Sequence, residues 1–229
     1  MPELLETWAI VVAAGEGRRL GAGRPKAFVK LGERPLLARS VELFDDHPAV
    51  DRMVLVVPPG WEEPASLLVD ELAAGKVAAA VAGGATRVES VVAGLAELPE
   101  RAELVLVHDG ARPFASAALV ERVLAALAEA DGAVPALPLT DTVKEVERAR
   151  VLRTLERGRL HAVQTPQAFR AEALRSAFAA PLDELTGLTD CASLLERAGR
   201  AVAVVPGERR NLKITDREDL RMAEALGGR

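Results

Sequence analysis

Between residues 13 and 26 the chain reads AAGEGRRLGAGRPK, with glycines at 15, 17, 21 and 23 and cations at Arg18, Arg19, Arg24 and Lys26. Glycines let a ligand approach the main chain and let successive N–H groups point at it. Clustered cations want anionic oxygens, so the pattern predicts a phosphate-binding loop. Two common spacings do not fit. A dinucleotide fingerprint needs glycine at position 20, which is Leu20, and a Walker loop needs a hydroxyl residue after Lys26, where Ala27 stands. What marks this loop is a planar guanidinium at Arg19 and a compact ammonium at Lys26, at the two ends of a short flexible segment. Such a pair can close over a triphosphate and neutralise charge on an α-phosphate under attack. The plainer alternative is a solvated basic surface loop, and the coincidence of strand, glycines and cations weighs against it.

A second candidate is Asp109, which ends the apolar run LVLVHD. If that run is a buried strand, the carboxylate sits at the carboxyl edge of the sheet, where open α/β sheets bind ligands. On residue type alone it could equally be a turn aspartate before Gly110. Cys191 is the single cysteine, which excludes an intrachain disulfide and leaves too few thiols for a zinc site; it reads as a small buried apolar residue.

These residues need elements to position them. Apolar runs rich in β-branched residues recur at 8–13, 52–58, 76–83, 103–110, 132–137 and 201–207, and most of them suit strands buried on both faces. Amphipathic stretches such as LLARSVELFDD, RVESVVAGLAEL and AALVERVLAALAEA lie between them. The alternation predicts βαβ units, hence an α/β fold with a mostly parallel sheet flanked by helices. At residues 139–165 the rhythm breaks into short, charged, turn-rich segments, which predicts a projecting β-arm for dimerisation, since a symmetric partner would cover the apolar face of a lone hairpin. Helix, strand and helix then return, and the last helix is expected to open with Thr215 as N-cap and Glu218 at the capping-box position. No repeat, low-complexity tract or linker interrupts residues 1–229, so one domain is expected.

Composition limits the partners. The 229 residues are 49% hydrophobic, enough for a substantial core, and the net charge is -5. That balance argues against a broad nucleic-acid footprint, so any basic site is local. No apolar run approaches the roughly 18 residues of a membrane span, and the first residues lack a positive n-region, so a cytoplasmic protein without membrane contact is expected.

Six further motifs, in order, are GGATRVESVVAGL (83–95), VHDGARPF (107–114), DTVK (141–144), QTPQAF (164–169), LTDCAS (188–193) and NLKITDREDL (211–220). With the glycine loop they resemble the 2-C-methyl-D-erythritol 4-phosphate cytidylyltransferase family of the non-mevalonate isoprenoid pathway, in register from about residue 8 to 225. The resemblance implies a Rossmann-like nucleotidyltransferase fold and a reaction that joins CTP to a polyol phosphate with Mg2+ as cofactor and pyrophosphate as leaving product. It implies a homodimer whose active site is shared between subunits.

The resemblance also distributes roles. Arg19, Lys26 and Lys213 match the catalytic cations. Ala13, Ala14, Gly15, Gly17, Gly84, Ser90, Asp109 and Gly110 match nucleotide-binding positions, with Asp109 as the metal ligand and Arg87 ordering its loop. Gly110 stands where the family usually has alanine. Arg112, Thr142 and Lys213 match the polyol-phosphate site, and Arg157 and Thr189 match positions that reach it from the neighbouring subunit. His108 reads as a hydrogen-bonded structural residue, because an attacking phosphate is already ionised at neutral pH and needs no base. Three alternatives stay open at this point: a sister enzyme acting on ribitol 5-phosphate, a dinucleotide-binding oxidoreductase, and a regulatory nucleotide binder.

Overall fold

The computed structural model describes residues 5–21, 23–179 and 190–227. Six parallel strands form its frame: β1 (Thr7–Val12), β4 (Arg52–Val57), β5 (Val77–Ala82), β6 (Leu104–Asp109), β7 (Gly132–Pro138) and β12 (Val202–Pro206). The remaining strands are β2 (Lys30–Leu31), β3 (Arg34–Pro35), β8 (Lys144–Glu147), β9 (Arg150–Thr154), β10 (His161–Val163) and β11 (Gln167–Arg170). The α-helices are α1 (Leu36–Asp46), α2 (Glu62–Leu72), α3 (Arg87–Ala96), α4 (Ala117–Ala125), α5 (Ala171–Phe178), α6 (Ala192–Arg197) and α7 (Arg217–Ala225).

The main sheet runs β5-β4-β1-β6-β11-β7, with β12 on the far side of β7 and β10 beside its C-terminal half. β11 is antiparallel to both β6 and β7 and is wedged between them. Nothing in the periodicity of QAFR announces that insertion, because four residues carry too little pattern to set strand direction.

The unbroken apolar runs follow from burial on both faces. On one face Ala9, Val11, Met53, Leu55 and Leu106 pack against α1, α2 and α4 through Leu37, Val41, Phe44, Leu68, Val120 and Val123. On the other, Trp8, Ile10, Val54, Val56, Val105 and Val107 meet α3, α5 and α6 through Val91, Leu95, Leu174 and Leu195. Strands β5 and β12 each have one neighbour and are only partly buried, unlike β1, β4 and β6. A third, smaller core of Leu20, Val29, Leu31, Leu36, Ile214 and Ala223 joins the glycine loop to the C-terminal segment.

Residues 139–165 divide in two. Strands β8 and β9 form a separate antiparallel hairpin, whereas β10 returns to the main sheet alongside β7. The hairpin exposes Val146, Val151 and Leu152 at 56%, 60% and 57%, so it has an apolar surface but no cover of its own. The start of α7 corrects the expected cap by one position. Asp216, not Thr215, is the N-cap: its carboxylate accepts from the backbone N–H groups of Glu218 (2.9 Å) and Asp219 (3.0 Å), and Asp219 reaches back to complete a capping box. Thr215 instead donates its hydroxyl to the Asp219 carboxylate.

Candidate active site

The glycine loop leaves β1 at the carboxyl edge of the sheet and folds back on itself. Gly17 adopts φ +70°, and a Cβ there would lie 2.8 Å from the Lys26 Cβ. That contact requires glycine both for the left-handed backbone and for the close approach. The Lys26 N–H donates to the Gly15 carbonyl at 3.2 Å, so the two ends of the loop are stapled together. Lys26 then opens a short 3-10 turn, Lys26–Phe28, whose Phe28 and Ala27 are buried. The distal part of the loop is anchored by Leu20, 3% exposed in the third core cluster.

Two adjoining hollows open beside this loop. The inner one, about 210 Å³, is walled by Ala13, Ala14, Gly15, Lys26, Gly84, Arg87, Ser90, Asp109 and Lys213, with Val12, Ala27, Ala85, Thr86 and Ala111 filling the rest. The outer one, about 860 Å³, shares Ala14, Gly15, Lys26, Gly84 and Ala85 and adds Gly17, Arg19, Pro58, Pro59 and Thr215. Five segments distant in sequence, the glycine loop, Pro58–Pro59, 83–90, 109–111 and 213–215, thus meet at the carboxyl ends of β1, β4 and β6, where a doubly wound sheet places its ligand.

Asp109 is the electrostatic centre. Its Oδ1 accepts from Arg87 Nε at 3.0 Å and its Oδ2 from Lys213 Nζ at 2.7 Å. Burial alone would raise its pKa, but the charges of Arg87 and then Lys213 outweigh it and hold the carboxyl well below the usual range. Arg87, the first residue of α3, therefore does more than order its loop; it also donates to the Cys191 Sγ at 3.5 Å. Burial pushes the Cys191 thiol up to about 11, so it stays a neutral, packed group.

Lys26 is pulled down to about 8, first by burial and then by the charge of Lys213, against the opposing pull of Asp109. The walls of the two hollows carry Arg19, Lys26, Arg87 and Lys213 against the carboxylates of Asp109 and Glu16, so the cleft is net basic and has room for more negative charge. His108 is fully buried, and burial pushes its pKa down to about 4. Its Nδ1 lies 3.1 Å from the Thr165 hydroxyl, which also accepts the Asp109 N–H at 3.0 Å; its Nε2 lies 3.2 Å from the Arg112 carbonyl. A neutral ring carrying its proton on Nε2 satisfies every one of these bonds. His108 thus fixes the strand end and faces backbone and Thr165 rather than the cleft.

The structure separates the other expected site residues. Ser90 is buried on the inner wall with its hydroxyl donated to the Thr86 carbonyl at 2.9 Å. Gly110 lies behind that wall: its N–H donates to the Val12 carbonyl at 2.9 Å, a Cβ on it would meet Ala13 at 3.3 Å, and Ala111 lines the hollow in its place. Arg112 is committed to two backbone carbonyls, Asn211 at 2.8 Å and Val163 at 3.4 Å. Thr142 is exposed ahead of the hairpin, and Arg157 is exposed with its guanidinium on the Thr140 carbonyl. Neither lines either hollow. Thr189 lies outside the described residues.

Sequence reasoning missed Thr165, the partner that locks His108 and the Asp109 backbone, and Pro58–Pro59. The prolines carried a usable signal, since they directly follow a buried strand and so must lie at the same carboxyl edge as Asp109.

Comparison with known proteins identifies the family and the fold. The family model for IspD, 2-C-methyl-D-erythritol 4-phosphate cytidylyltransferase, matches residues 7–228. The chain is 43% identical to the 2-C-methyl-D-erythritol 4-phosphate cytidylyltransferase of Rubrobacter xylanophilus over 95% of its own length and 93% of the relative's. It is 45% identical to a bifunctional enzyme IspD/IspF of Nitratidesulfovibrio vulgaris over 96% of its own length, and spans 58% of that longer relative. Among solved structures, the 2-C-methyl-D-erythritol 4-phosphate cytidylyltransferase of Thermus thermophilus superposes with a TM-score of 0.78 at 37% identity, covering 95% of this chain and 96% of the other. The Anaerococcus prevotii 4-diphosphocytidyl-2C-methyl-D-erythritol synthase gives 0.86 at 31% identity, covering 99% and 100%. By extent of match and by fold, the chain belongs to the 2-C-methyl-D-erythritol 4-phosphate cytidylyltransferase family.

Proposed function

We propose that this protein transfers a cytidylyl group from CTP to 2-C-methyl-D-erythritol 4-phosphate and releases pyrophosphate. The observation that carries the reading is the convergence of Lys26, Lys213, Arg87 and Asp109 on one hollow beside the folded-back glycine loop. A phosphate oxygen of the acceptor forms the new bond to the α-phosphorus, and the bond to the bridging oxygen of the departing pyrophosphate breaks. The attacking group is already an anion, so the protein contributes positioning and charge rather than a base or a covalent intermediate. Arg19 on the outer hollow and Lys26 between the two would neutralise the triphosphate and the leaving group, and Lys213 would receive the acceptor phosphate.

Asp109 fits a role as ligand to Mg2+. Its carboxylate is ionised and lies on the cleft wall; because Arg87 and Lys213 each hold one oxygen, Mg2+ would take a remaining lone pair or displace the Lys213 ammonium, and substrate phosphates would have to offset the repulsion between the cations. Among the described residues no group of three or more His, Cys, Asp or Glu could hold a metal, so an ion here would need substrate phosphates as further ligands. The cation would supply charge neutralisation at the phosphates. Ala13, Ala14, Gly15, Gly17, Gly84 and Ser90 form the wall for cytidine and its phosphates.

We read residues 1–229 as one nucleotidyltransferase domain and, of residues 139–165, the β8–β9 hairpin alone as the arm that pairs two subunits, since β10 and Thr165 belong to the main body. The exposed Val146, Val151 and Leu152 support that pairing; Arg157, exposed at the base of the hairpin, and Thr189 would then reach the neighbour's acceptor site, while Thr142 would line the acceptor site itself. No helix among the described residues is long and apolar enough to cross a membrane, and we read the enzyme as cytoplasmic. A coupled pyrophosphate assay with each of the four nucleoside triphosphates against the two acceptors, methylerythritol phosphate and ribitol 5-phosphate, tests the reading. Turnover is expected only with CTP, methylerythritol phosphate and a divalent cation together; turnover with ATP alone or with ribitol 5-phosphate alone would replace it.

A further inference from the structure

One side chain outside the hollows grips the nucleotide loop directly. Arg217, the first residue of α7, donates from Nε to the Leu20 carbonyl at 2.9 Å and from Nη2 to the Gly21 carbonyl at 3.3 Å. Gly21 has φ +60°, and a Cβ there would sit 2.8 Å from Arg217 Nη2. Just before these carbonyls is the short turn Arg18–Leu20 that carries Arg19, closed at its start by the Leu20 N–H on the Gly17 carbonyl at 2.9 Å. The Leu20 side chain packs with Ile214 and Ala223, so the C-terminal segment that presents Lys213 also holds the loop that presents Arg19. The planar fork of an arginine can hold two successive carbonyls at once; a lysine offers one point donor.

We propose that Arg217 is a positioning residue for the nucleotide loop, whose fork on the Leu20 and Gly21 carbonyls keeps Arg19 over the outer hollow and thereby sets the affinity for the triphosphate. The loop contact stands on geometry alone; the affinity half rests on the nucleotidyl-transfer reading above. Two surface hydrogen bonds of ordinary net strength shift the opening equilibrium of such a loop by about tenfold. Opening exposes the peptide bond after Arg19 to trypsin.

The test is cleavage after Arg19 in the intact protein, with and without CTP, alongside steady-state kinetics of Arg217→Ala, Arg217→Lys and Gly21→Ala. Arg217→Ala is expected to speed cleavage about tenfold and to raise the KM for CTP by a similar factor with kcat less affected, while Arg217→Lys falls between it and the parent. Gly21→Ala, which drives the guanidinium away, is expected to reproduce the effect, and the Gly21→Ala/Arg217→Ala double variant to show less than the product of the two. Unchanged cleavage in Arg217→Ala, or fully multiplicative single effects, would overturn the clamp. Failure of CTP to slow cleavage of the parent protein would overturn the affinity half together with the reading of the site, while faster cleavage in Arg217→Ala would still establish the clamp.

Discussion

Lys26 offers the sharpest test, because burial and the neighbouring Lys213 charge place its pKa at about 8 instead of the ordinary 10.5. Between pH 7 and pH 9 in the free protein, its charged fraction falls from about 90% to about 10%. A triphosphate brought against the ammonium favours the charged form, so nucleotide binding above pH 8 must take up a proton. If only the charged form binds well, the apparent Kd for CTP rises about tenfold from pH 7 to pH 9. Isothermal titration calorimetry in two buffers of different ionisation enthalpy reads this directly: proton uptake is near zero at pH 7 and approaches one per CTP at pH 9. Lys26→Arg carries a charge that does not titrate in this range and is expected to remove the uptake. A Kd that stays flat to pH 9, with no buffer-dependent heat in the parent protein, would refute the placement of Lys26 against the phosphates.

Three further outcomes are expected. His108 is held neutral by burial with a folded pKa near 4, below its unfolded value near 6.5, so the folded state resists a proton that the unfolded chain accepts. Stability therefore falls as pH drops from about 6.5 to 4, by about 3 kcal/mol for this group, and His108→Gln is expected to flatten that part of the urea-denaturation profile. Gly17→Ala forces a side chain into a positive-φ site 2.8 Å from the Lys26 Cβ; a loss of about 1–2 kcal/mol in thermal stability and a clear drop in turnover are expected. Val151→Asp with Leu152→Asp, on the exposed hairpin, is expected to shift the protein toward monomer in analytical ultracentrifugation and to remove activity while the circular dichroism spectrum holds.

Much of this architecture is legible in the chain itself. The strands at 7–12, 52–57 and 104–109 and helix α1 match their apolar runs almost residue for residue, because a strand buried on both faces leaves a contiguous signature. The glycine loop is legible for a similar reason, since positive φ and close approach demand a specific residue type. Less is legible where geometry depends on partners far along the chain. The sequence points to Thr215 as the cap of α7, one residue early, because Thr215 and Asp216 are both competent caps and backbone conformation chooses between them. Arg112, matched by resemblance to the acceptor site, is held by the carbonyls of Asn211 and Val163, which no local pattern specifies.

The sequence by itself determined the layered α/β frame, the loop that requires glycine at position 17, and the set of charged residues that the cleft gathers. Tertiary structure alone decided how those charges meet. It set Arg87 and Lys213 on the two oxygens of Asp109 across 22 and 104 residues of chain, lowered Lys26 into the titrating range, and held His108 out of the cleft through Thr165. The physical reason is that helix and strand periodicity are local properties of a chain, whereas charge interaction and desolvation depend on distances and burial that exist only once the sheet has brought its carboxyl ends together.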